Sequence, residues 1–325
     1  MDTLSKTLDI LYGADGFVSG ERIASLLGIG RNSVWKAINA LKKQGYSIAS
    51  SRGGYMLEDK GIFDEHSIRR HLRREHDIYI YKKESSSNTV AKQLCKAGAK
   101  EGTLVIVESQ TEGRGRMGRS FLSDSENGLY MSVALRPRIS ADKCISITVA
   151  AAVAVAEAIE ELSQRECHIK WVNDIYIGEK KCCGILTEAS FDIESGGLQY
   201  AVLGIGVNLC PPKGGFDSSI ADIACGIFEG EYPKGFKARL CASIVNRFFD
   251  IYERLEEKEF IEKYRNKSNI IGKAVDVYIG NEVVCGVAVD IDENANLIVK
   301  DTNGRTHSFN SGEARVRRAV CDEKG

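Results

Sequence analysis

Between residues 168 and 207 the strand-like runs His168–Trp171, Ile175–Ile177, Gly184–Glu188 and Tyr200–Val207 succeed one another through short turns such as Gly178-Glu179 and Ser195-Gly196-Gly197. A parallel crossover needs a dozen or more residues, so turns of this length permit only antiparallel neighbours. They argue against a doubly wound fold for the middle of the chain. Further strand-like runs at Asp77–Tyr81, Thr103–Glu108 and Leu129–Leu135 mix with helical runs at Thr89–Ala97, Ile145–Leu162 and Phe236–Glu257. Residues 66–270 therefore read as a mixed α/β domain of α+β type with a mixed or antiparallel sheet. The uncharged stretch Cys144–Ala156 is too short to cross a bilayer and is read as a buried helix.

The two ends of the chain have different periodicities. A first helix is expected over Leu4–Tyr12; a second begins after Ser19 as N-cap and ends at Gly28. In the third, Arg31–Gln44, Val34, Ile38 and Leu41 repeat at helical spacing, while Asn32, Lys36, Asn39 and Lys43 fall on the opposite face. Two β-prone runs then flank Ser-Ser-Arg-Gly-Gly, which puts Arg52 at a hairpin tip. Helix, turn, helix and wing make residues 1–60 a winged helix-turn-helix, with Arg31, Asn32, Lys36, Asn39, Lys43 and Arg52 facing DNA; a three-helix interaction module is the alternative. The charged stretch from Glu58 to Asp77 marks a domain boundary near Asp59 to Phe63 and leads into a solvated helix. At the other end, residues 271–320 alternate with period two: Val275, Val277 and Ile279, then Val283, Cys285, Val287 and Val289, then Leu297 and Val299. Turns at Gly280-Asn281, Asp292–Asn296 and Asn303-Gly304 separate these runs, the pattern of a small SH3-like β-barrel.

Charge narrows the function. The formal net charge of the 325 residues is -1, and residues 1–60 carry eight Lys/Arg against six Asp/Glu, so DNA contact has to be local rather than a general basic coat. The ten cysteines are spread along a chain that shows no export signal and contain no C-x-x-C pair, and the five histidines have no ligand spacing. Reduced thiols, no structural metal site, no membrane association and a cytoplasmic location are expected.

Three segments carry candidate chemistry. Residues 113–118, GRGRMG, match a dinucleotide fingerprint letter for letter, but the turn formers that follow cannot open the helix such a fingerprint requires. Arg114, Arg116 and Arg119 on a glycine-hinged loop instead suit a carboxylate or phosphate. In KWVNDI (170–175) and KKCCGIL (180–186), Lys170, Asp174 and Lys181 stand at strand ends where they can face one cleft; a charged hairpin is the bland alternative. In GIGVN (204–208), Gly204 and Gly206 bare a strand for a flat ligand whose edge Asn208 can read.

In this order the Arg-Gly loop, K-W-x-N-D, K-x-x-G-I-L and G-x-G-x-N resemble the biotin protein ligases, and with a winged helix in front the chain is similar to the bifunctional ligases that also repress biotin operons. The resemblance implies that Ser86, Ser87 and Asn88, standing where the family has S-T-N, bind biotin together with Gln110, Arg114, Gly115, Arg116, Lys181 and Gly204. Ser85 replaces the family's leading aspartate, and Val172 stands where the family commonly has proline. Arg116, Arg119, Phe121, Asn208 and Arg317 are implied to bind the adenylate, Phe121 stacking in place of the family's tryptophan. Lys181, Asp174 and Arg116 are the implied catalytic residues.

The implied reaction uses ATP and Mg²⁺ to convert biotin into biotinoyl-AMP, then transfers biotin to a lysine of a biotin carboxyl carrier protein. Ordering of the loop by the adenylate is expected to favour a homodimer, which would set two winged helices on two operator half-sites. The nearest rival is a lipoate- or octanoate-type ligase; a different class of rival is a repressor that senses its ligand without catalysis.

Overall fold

A computed structural model describes residues 3–58, 61–119, 121–123, 127–140, 143–191 and 198–317. The chain forms two compact units, Met1–Leu72 with Pro233–Ala242, and Arg73–Tyr232 with Ser243–Gly325.

The first unit opens with helices α1 (Thr3–Gly13), α2 (Gly20–Leu27) and α3 (Arg31–Lys43), then a hairpin of β1 (Ile48–Ser51) and β2 (Gly54–Leu57), and a short α4 (Glu65–Arg69). The Ser19 hydroxyl caps α2 by accepting the Arg22 N–H at 3.1 Å, and Gly28 ends it with φ 65°. Val34, Ile38 and Leu41 of α3 are buried against Leu8, Leu11, Ile23, Ile48 and Leu57. The strands pair from Ile48↔Leu57 to Ser51↔Gly54, leaving Arg52-Gly53 as the tip. Gly54 has φ 119°, and a Cβ there would lie 2.0 Å from the Val18 carbonyl oxygen, so only glycine lets the wing back onto the segment before α2. Within the charged stretch after the wing, Asp64 and Ser67 form a capping box and Ile68 is fully buried, so α4 is anchored rather than merely solvated. Residues 59 and 60 of the expected boundary lie outside the described residues.

The second unit contains β3 (Ile78–Glu84), α5 (Ser87–Lys96), β4 (Leu104–Gln110), β5 (Gly128–Leu135), α6 (Cys144–Ser163), β6 (His168–Lys170), β7 (Asp174–Ile177), β8 (Lys180–Phe191) and β9 (Leu198–Asn208). The seven strands form one sheet in the order β3-β4-β5-β9-β8-β7-β6, in which only β3 and β4 are parallel, joined through α5. The other pairs are antiparallel, β6–β7 and β7–β8 through the short turns expected; the turn at Ser195-Gly196-Gly197 lies outside the described residues. The uncharged stretch forms α6, whose side chains from Ile147 to Ala156 are all buried. No helix among the described residues is long and apolar enough to cross a membrane.

Helix α7 (Phe236–Tyr252) ends five residues short of the expected Glu257. A short turn at Leu255–Glu257 and Lys258, at φ 58°, separate it from α8 (Glu259–Lys267), which the periodicity did not reveal. Phe260, Ile261 and Tyr264 of α8 are buried. The chain ends in β10 (Ala274–Ile279), β11 (Glu282–Ile291), β12 (Leu297–Asp301), β13 (Thr306–Phe309) and β14 (Glu313–Val316), an antiparallel sheet in the order β13-β12-β11-β10-β14. Residues 318–320 of the expected C-terminal module lie outside the described residues. One phase is reversed: Val283, Cys285, Val287 and Val289 of β11 face solvent, whereas Ala288 and, past a bulge, Ile291 face the core. The Trp171 indole N–H donates to the Ala295 carbonyl at 3.1 Å, tying the β6–β7 turn to this sheet.

Candidate active site

The N-terminus of α5 lies against the middle of the large sheet and builds a polar floor. The Ser86 hydroxyl caps the helix by accepting the Thr89 N–H at 3.1 Å. The Ser87 N–H donates to Gln110 Oε1 at 2.7 Å, and Gln110 Nε2 donates to the Ser123 hydroxyl at 2.9 Å. Ser132 Oγ lies 2.8 Å from Ser87 Oγ and donates to Asn88 Oδ1 at 2.6 Å, while Asn88 Nδ2 donates to Glu188 Oε2 at 2.8 Å. Glu188 is also paired with Lys92. Burial alone would raise the Glu188 pKa, but the hydrogen bonds from Lys92 and Asn88 outweigh it and hold the carboxyl below its usual range. Gly204 makes this arrangement possible, because a Cβ there would lie 2.2 Å from Asn88 Oδ1.

Two further glycines bare the sheet for an aromatic ring. A Cβ on Gly206 would come within 2.8 Å of the Phe121 ring, and one on Gly184 within 3.2 Å. Phe121 meets Tyr130 edge-on, with ring centroids 6.3 Å apart. The Arg-Gly loop reaches this position as a tight hairpin: the Gly115 N–H donates to the Arg119 carbonyl at 2.7 Å and the Phe121 N–H to the Gly113 carbonyl at 2.8 Å. Arg116 lies in a short helical turn and donates to Asn173 Oδ1 at 3.3 Å. Burial pushes its pKa down, against the pull of Asp174.

The result is an inner pocket lined by this buried polar cluster, by Ile185, Leu186, Gly204 and Ile205, and by the cations Arg114, Arg116 and Lys181. Arg116, Phe121, Asn173 and Lys181 also line a broader outer cleft with Arg119, Lys170, Asp174, Asn208, Glu313 and Arg315. There Lys181 Nζ pairs with Asp174 Oδ1 at 2.7 Å, and Arg119 and Arg315 pair with Glu313. The segment around Ile220 and Ile223 is fastened to β8, the Lys181 N–H donating to the Ile223 carbonyl at 2.8 Å. Burial, then Asp174, pushes the nearby Tyr176 hydroxyl up to about 12. The Tyr264 hydroxyl of α8 is wholly buried, and its pKa rises for the same two reasons.

Ser86, Ser87, Asn88, Gln110, Arg114, Gly115, Arg116, Lys181 and Gly204 thus share one pocket, and Arg119, Phe121, Asp174 and Asn208 line the adjoining cleft. Arg317 does not join them: it is paired with Asp276, and Arg315, two residues earlier, lines the cleft instead. Ser123, Ser132 and Glu188 escaped the sequence reading because they belong to no recognisable motif, and Glu313 and Arg315 because only the folded chain brings the C-terminal sheet to the cleft. The Trp171–Val172 peptide bond is cis. On α3, Arg31, Asn32, Lys36 and Lys43 are exposed and Asn39 is half-buried; Arg31 pairs with Glu21 at 2.6 Å. Arg52 is exposed at the wing tip. Trp35, 59 % exposed among these residues, was not singled out by the polar pattern.

A helix-turn-helix in the first unit and, in the second, a pocket lined by buried hydrogen-bonding groups and by cations fit the class of ligases that activate a small carboxylic acid. The Biotin/lipoate A/B protein ligase family matches residues 79–208, an HTH domain matches residues 3–56, and the Biotin protein ligase C terminal domain matches residues 270–317. The bifunctional ligase/repressor BirA of Bacillus subtilis is 36% identical over 317 residues, covering 93% of this chain and 95% of that protein; its Escherichia coli namesake is 24% identical, with 98% of each chain covered. Biotin protein ligase from Aquifex aeolicus, solved with biotin and ATP, superposes with a TM-score of 0.62 at 26% identity, over 75% of this chain and 99% of that one. The chain belongs to the family of bifunctional biotin ligase/repressors.

Proposed function

We propose that this chain activates biotin with ATP, transfers it to a lysine of a biotin carboxyl carrier protein, and binds operator DNA through its first 60 residues. One observation carries the choice of acid: the inner pocket is lined both by the buried hydrogen-bonding groups of Ser86, Asn88 and Gln110 and by the less buried cations Arg114, Arg116 and Lys181. A ureido ring can hydrogen-bond to Ser86, Asn88 and Gln110 there, whereas the dithiolane end of lipoate or the alkyl chain of octanoate offers these polar groups nothing to bond to.

In the first step a biotin carboxylate oxygen attacks the α-phosphorus of ATP and pyrophosphate leaves. Arg114, Arg116, Arg119 and Lys181 offset the repulsion between carboxylate and phosphate and stabilise the charge of the crowded transition state. Phe121 and Asn208 take the adenine, and Asp174 keeps the Lys181 ammonium at the junction of pocket and cleft. In the second step a neutral lysine of the carrier, oriented by Asp174, attacks the acyl carbon and AMP leaves. The Arg-Gly loop shields the mixed anhydride from water until the carrier arrives. No group of three or more His, Cys, Asp or Glu side chains among the described residues could hold a metal by itself. Mg²⁺, when bound with ATP, would neutralise part of the charge of its phosphates.

The functional modules are residues 1–60 for DNA, 66–270 for ligation and 271–320 as the C-terminal module; the chain acts in the cytoplasm and dimerises when the adenylate is bound. The test is to incubate the pure protein with ATP, Mg²⁺ and either biotin or lipoate, and to determine the mass of the retained adenylate. Retained biotinoyl-AMP and biotin-dependent ATP–pyrophosphate exchange are expected; a retained lipoyl adenylate, or biotin binding without exchange, would overturn the reading.

A further inference from the structure

The charges of the outer cleft do not balance pairwise. Its carboxylates are already engaged: Asp174 with Lys181, Glu313 with Arg119 and Arg315, and Asp217 with the hydroxyl and N–H of Ser219. Lys170, which also lines the cleft, has no carboxylate within ion-pair distance among the described residues. Its Cα is the cross-strand partner of Asp174 on the β6–β7 hairpin, and its ammonium lies 5.8 Å from the centroid of the Tyr176 ring. Burial lowers its pKa, against the nearby Asp174 and Glu313. A partly buried cation that faces a cleft without a counter-ion is arranged for an anion that arrives from outside.

Position selects the anion. Arg116 and Lys181 line both cavities and therefore stand at the junction, where carboxylate and α-phosphate meet; Lys170 lines the outer cleft alone. We infer that Lys170 binds the β- and γ-phosphates of ATP and holds them as they depart as pyrophosphate, a role that rests on the ligase reading above. As the carboxylate oxygen bonds to the α-phosphorus, the bond from that phosphorus to the bridging oxygen breaks and its electron pair leaves with pyrophosphate. The Lys170 ammonium meets this growing charge. Its partial burial suits a small anion entering the cleft better than an acidic side chain on a docking protein.

The experiment uses the full chain with Lys170→Ala, Lys170→Met and Lys170→Arg, each checked for an unchanged thermal transition. Pyrophosphate itself is the probe: its KM in biotin-dependent ATP–pyrophosphate exchange, and its inhibition of adenylate formation. Both Lys170→Ala and Lys170→Met should raise the pyrophosphate KM by about tenfold or more, the loss expected for one charged hydrogen bond, with partial recovery in Lys170→Arg. The loss should exceed any change in transfer from isolated biotinoyl-AMP at least fivefold. A pyrophosphate KM within twofold of the parent overturns the inference, as does an effect confined to the KM for the carrier protein, which would assign Lys170 to carrier docking. Absence of exchange in the unaltered protein would instead count against the ligase reading itself.

Discussion

Gly204→Ala puts a methyl group where the structure has no room for one. The new Cβ would lie 2.2 Å from Asn88 Oδ1, and the amide cannot retreat freely, because Ser132 donates to that oxygen at 2.6 Å and Glu188 accepts from its nitrogen at 2.8 Å. Restoring a normal contact requires a shift of about 1 Å, which breaks or misaligns both bonds. Losing one neutral and one charge-assisted hydrogen bond costs about 2–4 kcal/mol. At about 2–4 °C per kcal/mol for a unit of this size, the transition of the second unit should fall by about 5–15 °C in scanning calorimetry. Biotin affinity, measured by isothermal titration, should weaken as well. The decisive comparison is a double-mutant cycle with Asn88→Ala: once the opposing oxygen is gone, Gly204→Ala should cost less than about 1 kcal/mol. A change of under 2 °C in the single variant, or an equal loss in both backgrounds, would refute the argument. Gly206→Ala is the contrast, because it meets the edge of the Phe121 ring at 2.8 Å and the ring belongs to a loop; it should raise the KM for ATP more than it lowers the transition.

Lys181→Ala should slow adenylate formation by about a hundredfold or more, read as single-turnover production of biotinoyl-AMP, with the thermal transition retained; an unchanged rate would remove Lys181 from the reaction. The Glu188 carboxyl titrates below its usual range, so the stability it contributes is complete above the unfolded pKa of about 4.3 and is lost as pH falls through the lower folded value. The gap in transition temperature between the parent and Glu188→Gln should therefore close on acidification from pH 6 to pH 3, and a gap that is constant with pH would contradict this. Arg52→Ala at the wing tip should weaken binding to all duplexes alike and reduce the slope of log K against log salt by about 1 in fluorescence anisotropy. A loss restricted to one sequence would give Arg52 a base contact instead.

Local chemistry alone settles much of the fold. Turns as short as Gly178-Glu179 permit only antiparallel pairing, Ser19 and Gly28 supply the two ends of α2, and the spacing of Val34, Ile38 and Leu41 defines the buried side of α3. Each is a property of a few consecutive residues. The candidate site was legible in part for the same reason: Gly204, Gly206 and the three arginines of the Arg-Gly loop are unusual within their own segments.

Tertiary structure decided what those segments meet. Period-two alternation in β11 marks two faces without saying which is covered, and the sheet buries Ala288 while leaving Val283, Val287 and Val289 exposed. Helix α8 restarts only after Lys258 adopts a left-handed conformation, an interruption that the charged sequence around it does not announce. Ser132 is an ordinary strand serine until α5 delivers Asn88 to it, and Arg315 lines the cleft in place of Arg317. Periodicity and capping act over one or two turns of chain, whereas a binding site is assembled by residues as distant in sequence as Phe121 and Gly206, which meet only once the strand order is fixed.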